Sequence, residues 1–202
     1  MAKDRLDEWN RQMPVAMRLS RAGASTRRPR VAMLPVPSIT DVQTRDDPHL
    51  QLLAQAIEAE GWDVIAVPFR RHQLDFRALQ ALEPDVLHLH YPQRLLRFSA
   101  ADILLSLRAS GPLPRHAQRP IDALAEVFRR LEIPIVWQIH DLITQRSRLR
   151  SLDESLQRMV YAHCDGLILH EESCFAAITD FFGAAKPFVV SRLGDYSFEY
   201  GR

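Results

Sequence analysis

No stretch of this 202-residue chain holds the roughly 20 consecutive apolar residues that a membrane-crossing helix needs. Its opening, MAKDRLDEWNRQMP, contains acidic side chains and lacks an apolar core, which excludes a secretory signal. Cysteine is scarce. Cys164 and Cys174 match no zinc-binding spacing, and without an export signal they are expected to be reduced thiols in a cytoplasmic protein. Charge of either sign is not in excess: 26 Lys and Arg against 25 Asp and Glu leave a net charge of +1, so nucleic acid is not an expected partner. Neither G-x-G-x-x-G nor G-K-[S/T] follows the first apolar run, which argues against a dinucleotide oxidoreductase or a P-loop enzyme. Ser38 has no nucleophile-elbow context, which argues against a Ser-His-Asp hydrolase.

What is present is the composition of a globular domain, 47% hydrophobic and 25% charged, long enough for one sizeable core. Residues 1–29 stand apart, with Arg5, Arg11, Arg18, Arg21, Arg27 and Arg28 and few β-branched residues, and read as a basic, flexible leader. A second reading makes Leu6, Trp9, Met13, Val15, Met17 and Leu19 an anchor at an anionic membrane surface, although Pro14 interrupts any long helix there. From residue 30 onward strand-like and helix-like blocks alternate. The strands are RVAMLPV, WDVIAVPF, DVLHLHYP, IPIVWQIHD, DGLILHE and KPFVVSRLG. The first helix carries Leu50, Leu53, Ala54 and Ile57 at helical spacing and closes on Gly61 at its C′ position. Others are expected in FRALQALEP and near 99–109, 119–132, 152–163 and 171–182, with residues 108–120 as a Pro- and Arg-rich loop. This alternation predicts an α/β domain, a Rossmann-like parallel sheet of about six strands with helices on both faces, over 30–202.

Ligands of such sheets bind beyond the carboxyl ends of the strands, so the residues closing each strand are the candidates. These are Ser38, Thr40 and Asp41 after the first strand; His88, His90 and Tyr91; His140 and Asp141; His170, Glu171 and Glu172; and Arg192, Gly194, Asp195 and Tyr196. Four of the eight histidines thus fall at one edge. His88 and His90, two apart in a strand, face the same side. With His140 they could ligate a metal, but no acidic signature accompanies them and no metal is expected; a buried, hydrogen-bonded His88 explains that position as well. His140 could reach a ligand hydroxyl or phosphate, with Asp141 as base or orienting group. Glu172 is a weaker candidate, because a helix start already favours acidic side chains.

Four segments carry a resemblance. Asp46-Asp47-Pro48-His49 and the helix after it, Pro84-Asp85-Val86-Leu87-His88-Leu89-His90-Tyr91-Pro92, Val136-Trp137-Gln138-Ile139-His140-Asp141-Leu142 and Cys164-Asp165-Gly166-Leu167-Ile168-Leu169-His170 follow one another in order and spacing. In this, residues 30–200 resemble the N-terminal, acceptor-side domain of bacterial GT-B glycosyltransferases, the large retaining group of polysaccharide and glycolipid synthesis. The resemblance implies transfer of a sugar from a nucleotide-sugar, bound as substrate with no cofactor, to a glycan or lipid-linked acceptor. It places the histidine matching His140 by the donor sugar and the loop after the first strand near the phosphates or acceptor; taken with the strand ends, His140 and Asp141 are the expected catalytic residues and Ser38, Asp41, His88, His90, Tyr91, Glu172 and Gly194 the expected substrate-binding ones. It also implies a second, nucleotide-binding domain, which catalysis in the family needs; the last residues, Tyr200-Gly201-Arg202, are expected to fall about where the linker to it would begin. That domain would come in the same chain or in a second subunit.

Leu193 stands where the family has a histidine, which favours an alternative: a non-catalytic binding or regulatory relative that keeps only the acceptor domain. An unrelated flavodoxin-like binding protein would use the same edge by fold logic alone. The arginine-flanked apolar stretch 93–109 would suit peripheral contact with the inner face of a membrane, or equally a core helix.

Overall fold

The computed structural model describes residues 27–34, 48–66, 69–70, 73–95, 115–140, 142 and 150–191. In chain order these form β1 (Arg30–Leu34), α1 (Pro48–Ala59), β2 (Asp63–Ala66), β3 (Phe69–Arg70), β4 (Gln73–Leu74), α2 (Phe76–Ala81) and β5 (Val86–Leu89). A 3-10 turn (Pro92–Leu95) follows, then α3 (Arg115–Arg130), β6 (Ile135–Gln138), α4 (Arg150–His163), β7 (Gly166–Leu169), α5 (Cys174–Phe182) and β8 (Phe188–Val190). Six strands make one sheet in the order β2-β1-β5-β6-β7-β8, and every pairing in it is parallel. The expected α/β sheet of six strands is therefore present. The small antiparallel β3–β4 ladder stands outside it.

Two apolar layers cover the two faces. Leu87, Leu89, Ile135, Trp137, Leu167 and Leu169 point into the larger core, where they meet Leu79 of α2, Ile121, Leu124 and Phe128 of α3, Leu152, Leu156 and Val160 of α4, and Ile178 of α5. Val31 and Met33 point the other way, onto Leu50 and Ala54 of α1. The swap of face follows from crossover handedness: from β1 to β2 the chain moves one way across the sheet, and from β2 onward it moves the other way. Strand β6, in the middle, is buried along its whole length, as a parallel strand covered on both faces should be. No helix among the described residues is long and apolar enough to cross a membrane. Leu95, one of the apolar residues of the stretch 93–109, lies in the larger core, and residues 96–109 are outside the described set.

Local chemistry sets the boundaries. Helix α1 ends in a Schellman arrangement: Gly61, at φ 86°, donates to Glu58 O at 3.0 Å, and Trp62 N–H reaches Ile57 O at 3.3 Å. Trp62 and Ile57 then pack together in the smaller core. Helix α3 begins at Arg115, so the loop expected over 108–120 is helical from its eighth residue. Pro120 sits inside that helix. Its ring fixes φ at a helical value, and so near the amino end it removes one backbone bond without ending the helix. Ile121, Leu124 and Phe128 supply the buried stripe that holds it.

The amino-terminal edge of the sheet is held by two aspartates. Asp85 N–H donates to Arg30 O at 2.8 Å, while its carboxylate accepts Arg30 N–H at 2.7 Å. Asp165 repeats the device on the next pair but one: its N–H donates to Ile135 O at 2.7 Å and its carboxylate accepts Ile135 N–H at 2.8 Å. Each aspartate thereby fastens the start of one strand to the start of its neighbour. The leader's last residues join this edge. Arg27 pairs with Asp85 at 3.3 Å and donates to Glu83 O, Arg28 approaches Asp63 at 4.0 Å, and Pro29 O accepts Asp63 N–H at 2.8 Å. Residues 1–26 lie outside the described set.

Both cysteines carry free thiols, Cys174 exposed and Cys164 buried. Burial pushes the Cys164 thiol up to about 12; Lys186 pulls against this and the charge of Asp165 adds to it. At pH 8 a disulfide-exchange reagent should therefore titrate one thiol per native chain, that of Cys174, and two once the chain unfolds. Because Cys164 resists ionisation in the fold but not in the unfolded chain, its contribution to stability is complete below the ordinary value of 9.0 and fades as the pH climbs toward about 12. Two thiols reacting at equal rates in the native protein would contradict this.

Candidate functional site

The carboxyl edge of the sheet is where the histidines meet. In a parallel sheet neighbouring strands run side by side at roughly 4.8 Å, so residues one step past the ends of successive strands form a line. His90 follows β5 and is fixed by its own N–H to Leu34 O at 2.8 Å. His140 lies two residues past β6, behind Ile139, whose N–H donates to Ile168 O at 3.0 Å. His170 follows β7, and Ser191 follows β8 with its N–H on Leu169 O at 2.7 Å. An imidazole plus one hydrogen bond spans about one strand spacing. The rings accordingly link up, with centroids 5.5 Å apart from His90 to His140 and 4.8 Å from His140 to His170.

The bonds form a single row. His90 Nδ1 lies 3.2 Å from His140 Nε2, His140 Nδ1 lies 3.0 Å from His170 Nε2, and His170 Nδ1 lies 3.1 Å from the carbonyl oxygen of Ser191. Both ring nitrogens of His140 are thus engaged by other histidines. Tyr91 lies over His140 with nearly parallel rings, 4.9 Å between centroids and 19° between planes. His88 sits one tier deeper, 4.3 Å from His90, and both are buried. The row runs from the buried end of β5 to the half-exposed His170.

This edge includes the point where the strand order reverses, between β1 and β5, and a doubly wound sheet opens its binding crevice there. Of the residues singled out in the sequence, the structure brings together His88, His90, Tyr91 and His140. Glu172 is not in the group; it is exposed in the turn before α5, where its carbonyl accepts Phe175 N–H at 3.0 Å. Ser38, Asp41, Asp141, Leu193 and Gly194 lie outside the described residues. His170, which the sequence counts among the four histidines closing strands without naming it as a site residue, joins them through His140. Among the described residues no group of three or more His, Cys, Asp or Glu side chains could hold a metal ion. The histidines join edge to edge in a row, whereas metal ligands converge on a common point.

No family model matches the chain, and no curated protein matches it.

Proposed function

We propose that this domain is the acceptor-side half of a glycosyltransferase, moving a sugar from a nucleotide-sugar to a glycan or lipid-linked acceptor and completed by a nucleotide-binding domain in the same chain or another. The observation that carries this reading is the row His90–His140–His170 at the carboxyl edge of the sheet, with Tyr91 stacked on its middle ring. Loss of a nucleoside diphosphate from a sugar builds negative charge on the departing oxygens, and preorganised N–H groups at such a place lower its cost. An imidazole row suits the task because an added proton can hop from ring to ring while every hydrogen bond within it persists. In this reading His140 positions the donor sugar or its phosphate, taking up a proton as negative charge develops there. Asp141 or Asp41 orients the acceptor hydroxyl, and the loop at 38–45 closes the site.

The closed row also favours a second reading, a module that binds an acceptor without transferring to it. With both His140 nitrogens held inside the protein, the histidines can serve solely to tie four strand ends together.

One experiment separates the two. The protein, tagged at its own locus and captured from its native cells, is supplied with radiolabelled UDP-, GDP- and dTDP-sugars and a membrane-lipid and glycan extract of those cells. Sugar incorporation that depends on the captured protein is the expected result. Acceptor glycan retained without any incorporation or donor binding would replace transfer by the binding reading.

A further inference from the structure

We propose that His170 is the positioning residue that fixes the tautomer and orientation of His140, and that the neutral histidine row therefore points one way only. This rests on the reading of His140 as the group that meets the ligand.

The argument starts at the far end of the row. A backbone carbonyl can only accept, so the 3.1 Å contact to Ser191 O requires a proton on His170 Nδ1. A neutral imidazole carries one N–H, which leaves His170 Nε2 as an acceptor. The 3.0 Å contact to His140 Nδ1 then requires the proton there, and His140 Nε2 becomes an acceptor in turn. By the same step, the 3.2 Å contact places the next proton on His90 Nδ1. One carbonyl, four strands away from β1 in the sheet, thus dictates three tautomers in succession. All three are the Nδ1–H form, the reverse of the tautomer that free histidine favours in water.

Orientation is fixed with them. Ser191 O is itself held in place, because Ser191 N–H is bonded to Leu169 O in the β7–β8 ladder. His170 therefore transmits the position of a rigid strand end to a ring that follows β6. The row ends on that carbonyl, which cannot take a proton, so the row can hold an added proton but cannot pass it out at the β8 side. A proton gained from a ligand therefore leaves the row on the side at which it entered.

The test reads the protons directly. The full chain, labelled with 15N histidine, is examined by long-range 1H–15N correlation at about pH 9, above the ordinary histidine range. His140 and His90 are expected as Nδ1–H tautomers. His170→Ala should let His140 shift toward a mixture with Nε2–H, with the backbone spectrum otherwise preserved. His170→Gln, whose amide offers one donor and one acceptor, should keep the wild-type tautomer. In the transfer assay the alanine variant should lose about 10–100-fold in kcat, the usual cost of removing the partner that orients a functional histidine, with KM for the donor little changed. An Nε2–H tautomer of His140 in the wild-type chain overturns the proposal, whether or not any variant folds. So does a His140 tautomer indifferent to His170→Ala. The spectra are independent of sugar transfer: the expected tautomers in a chain that transfers nothing would uphold the polarised row and remove only the glycosyltransferase reading.

Discussion

Alanine at His140 is expected to lower sugar transfer by the complete enzyme about 10²–10⁴-fold while leaving the domain folded. The position explains both halves of this result. His140 is the middle ring of the row, so its loss separates His90 from His170 and removes the stacking partner of Tyr91 in one step. No substitution at either end does as much. Yet the ring belongs to neither apolar layer. Among the described residues the fold forfeits two hydrogen bonds at the rim of the sheet, on the order of 1–3 kcal/mol, and keeps both cores. Initial rates of transfer, measured beside thermal unfolding of the same preparation, check the two claims together. Wild-type turnover from the variant would end the assignment of His140, and loss of the fold would show that the row is a structural clamp first.

The reach of the sequence can be traced through the same residues. The sheet was legible because short apolar runs alternate with helical periodicity, and six such runs became six parallel strands. The histidine edge was legible for a related reason: parallel strands all finish on one side, so residues closing them must gather there. What the sequence could not supply was which strands are neighbours. The pairing of His140 with His170 depends on β7 lying beside β6, and on Ser191 emerging beyond β8. Without that order, His170 counts among the histidines at the edge but has no identified partner there. The helix start at Arg115 precedes the one expected near 119 because the Pro- and Arg-rich stretch 108–120 reads as a loop, although a proline near an amino terminus removes little. Arg27 looked like part of a flexible leader, and its partner Asp85 lies 58 residues away. The segments behind the resemblance also divide in two. In Pro84–Tyr91 and in Cys164–His170, the aspartate at the start fastens the sheet at one edge, and the histidine at the end serves the row at the other. A single short motif thus spans one strand from its anchor to its site.

That division makes Asp85 the place to disturb the fold without touching the site. Asp85→Ala should cost about 1.5–3 kcal/mol, the range for hydrogen bonds to a charged group. The carboxylate has two partners. Oδ2 accepts Arg30 N–H at 2.7 Å, and Oδ1 pairs with Arg27 at 3.3 Å. The second contributes little, because the Arg27 side chain is 38% exposed and such pairs are weak. The first matters more, since Arg30 opens β1 and its part-buried N–H is bonded to this carboxylate. Asp85→Asn separates the two: an amide oxygen can still accept Arg30 N–H but offers Arg27 no charge, so it should recover most of the loss. Denaturant midpoints of the three proteins, at unchanged slope, would show the order wild type, Asn, Ala. Equal midpoints for Asn and Ala would mean that the ion pair with Arg27, rather than the bond to the strand, holds this edge.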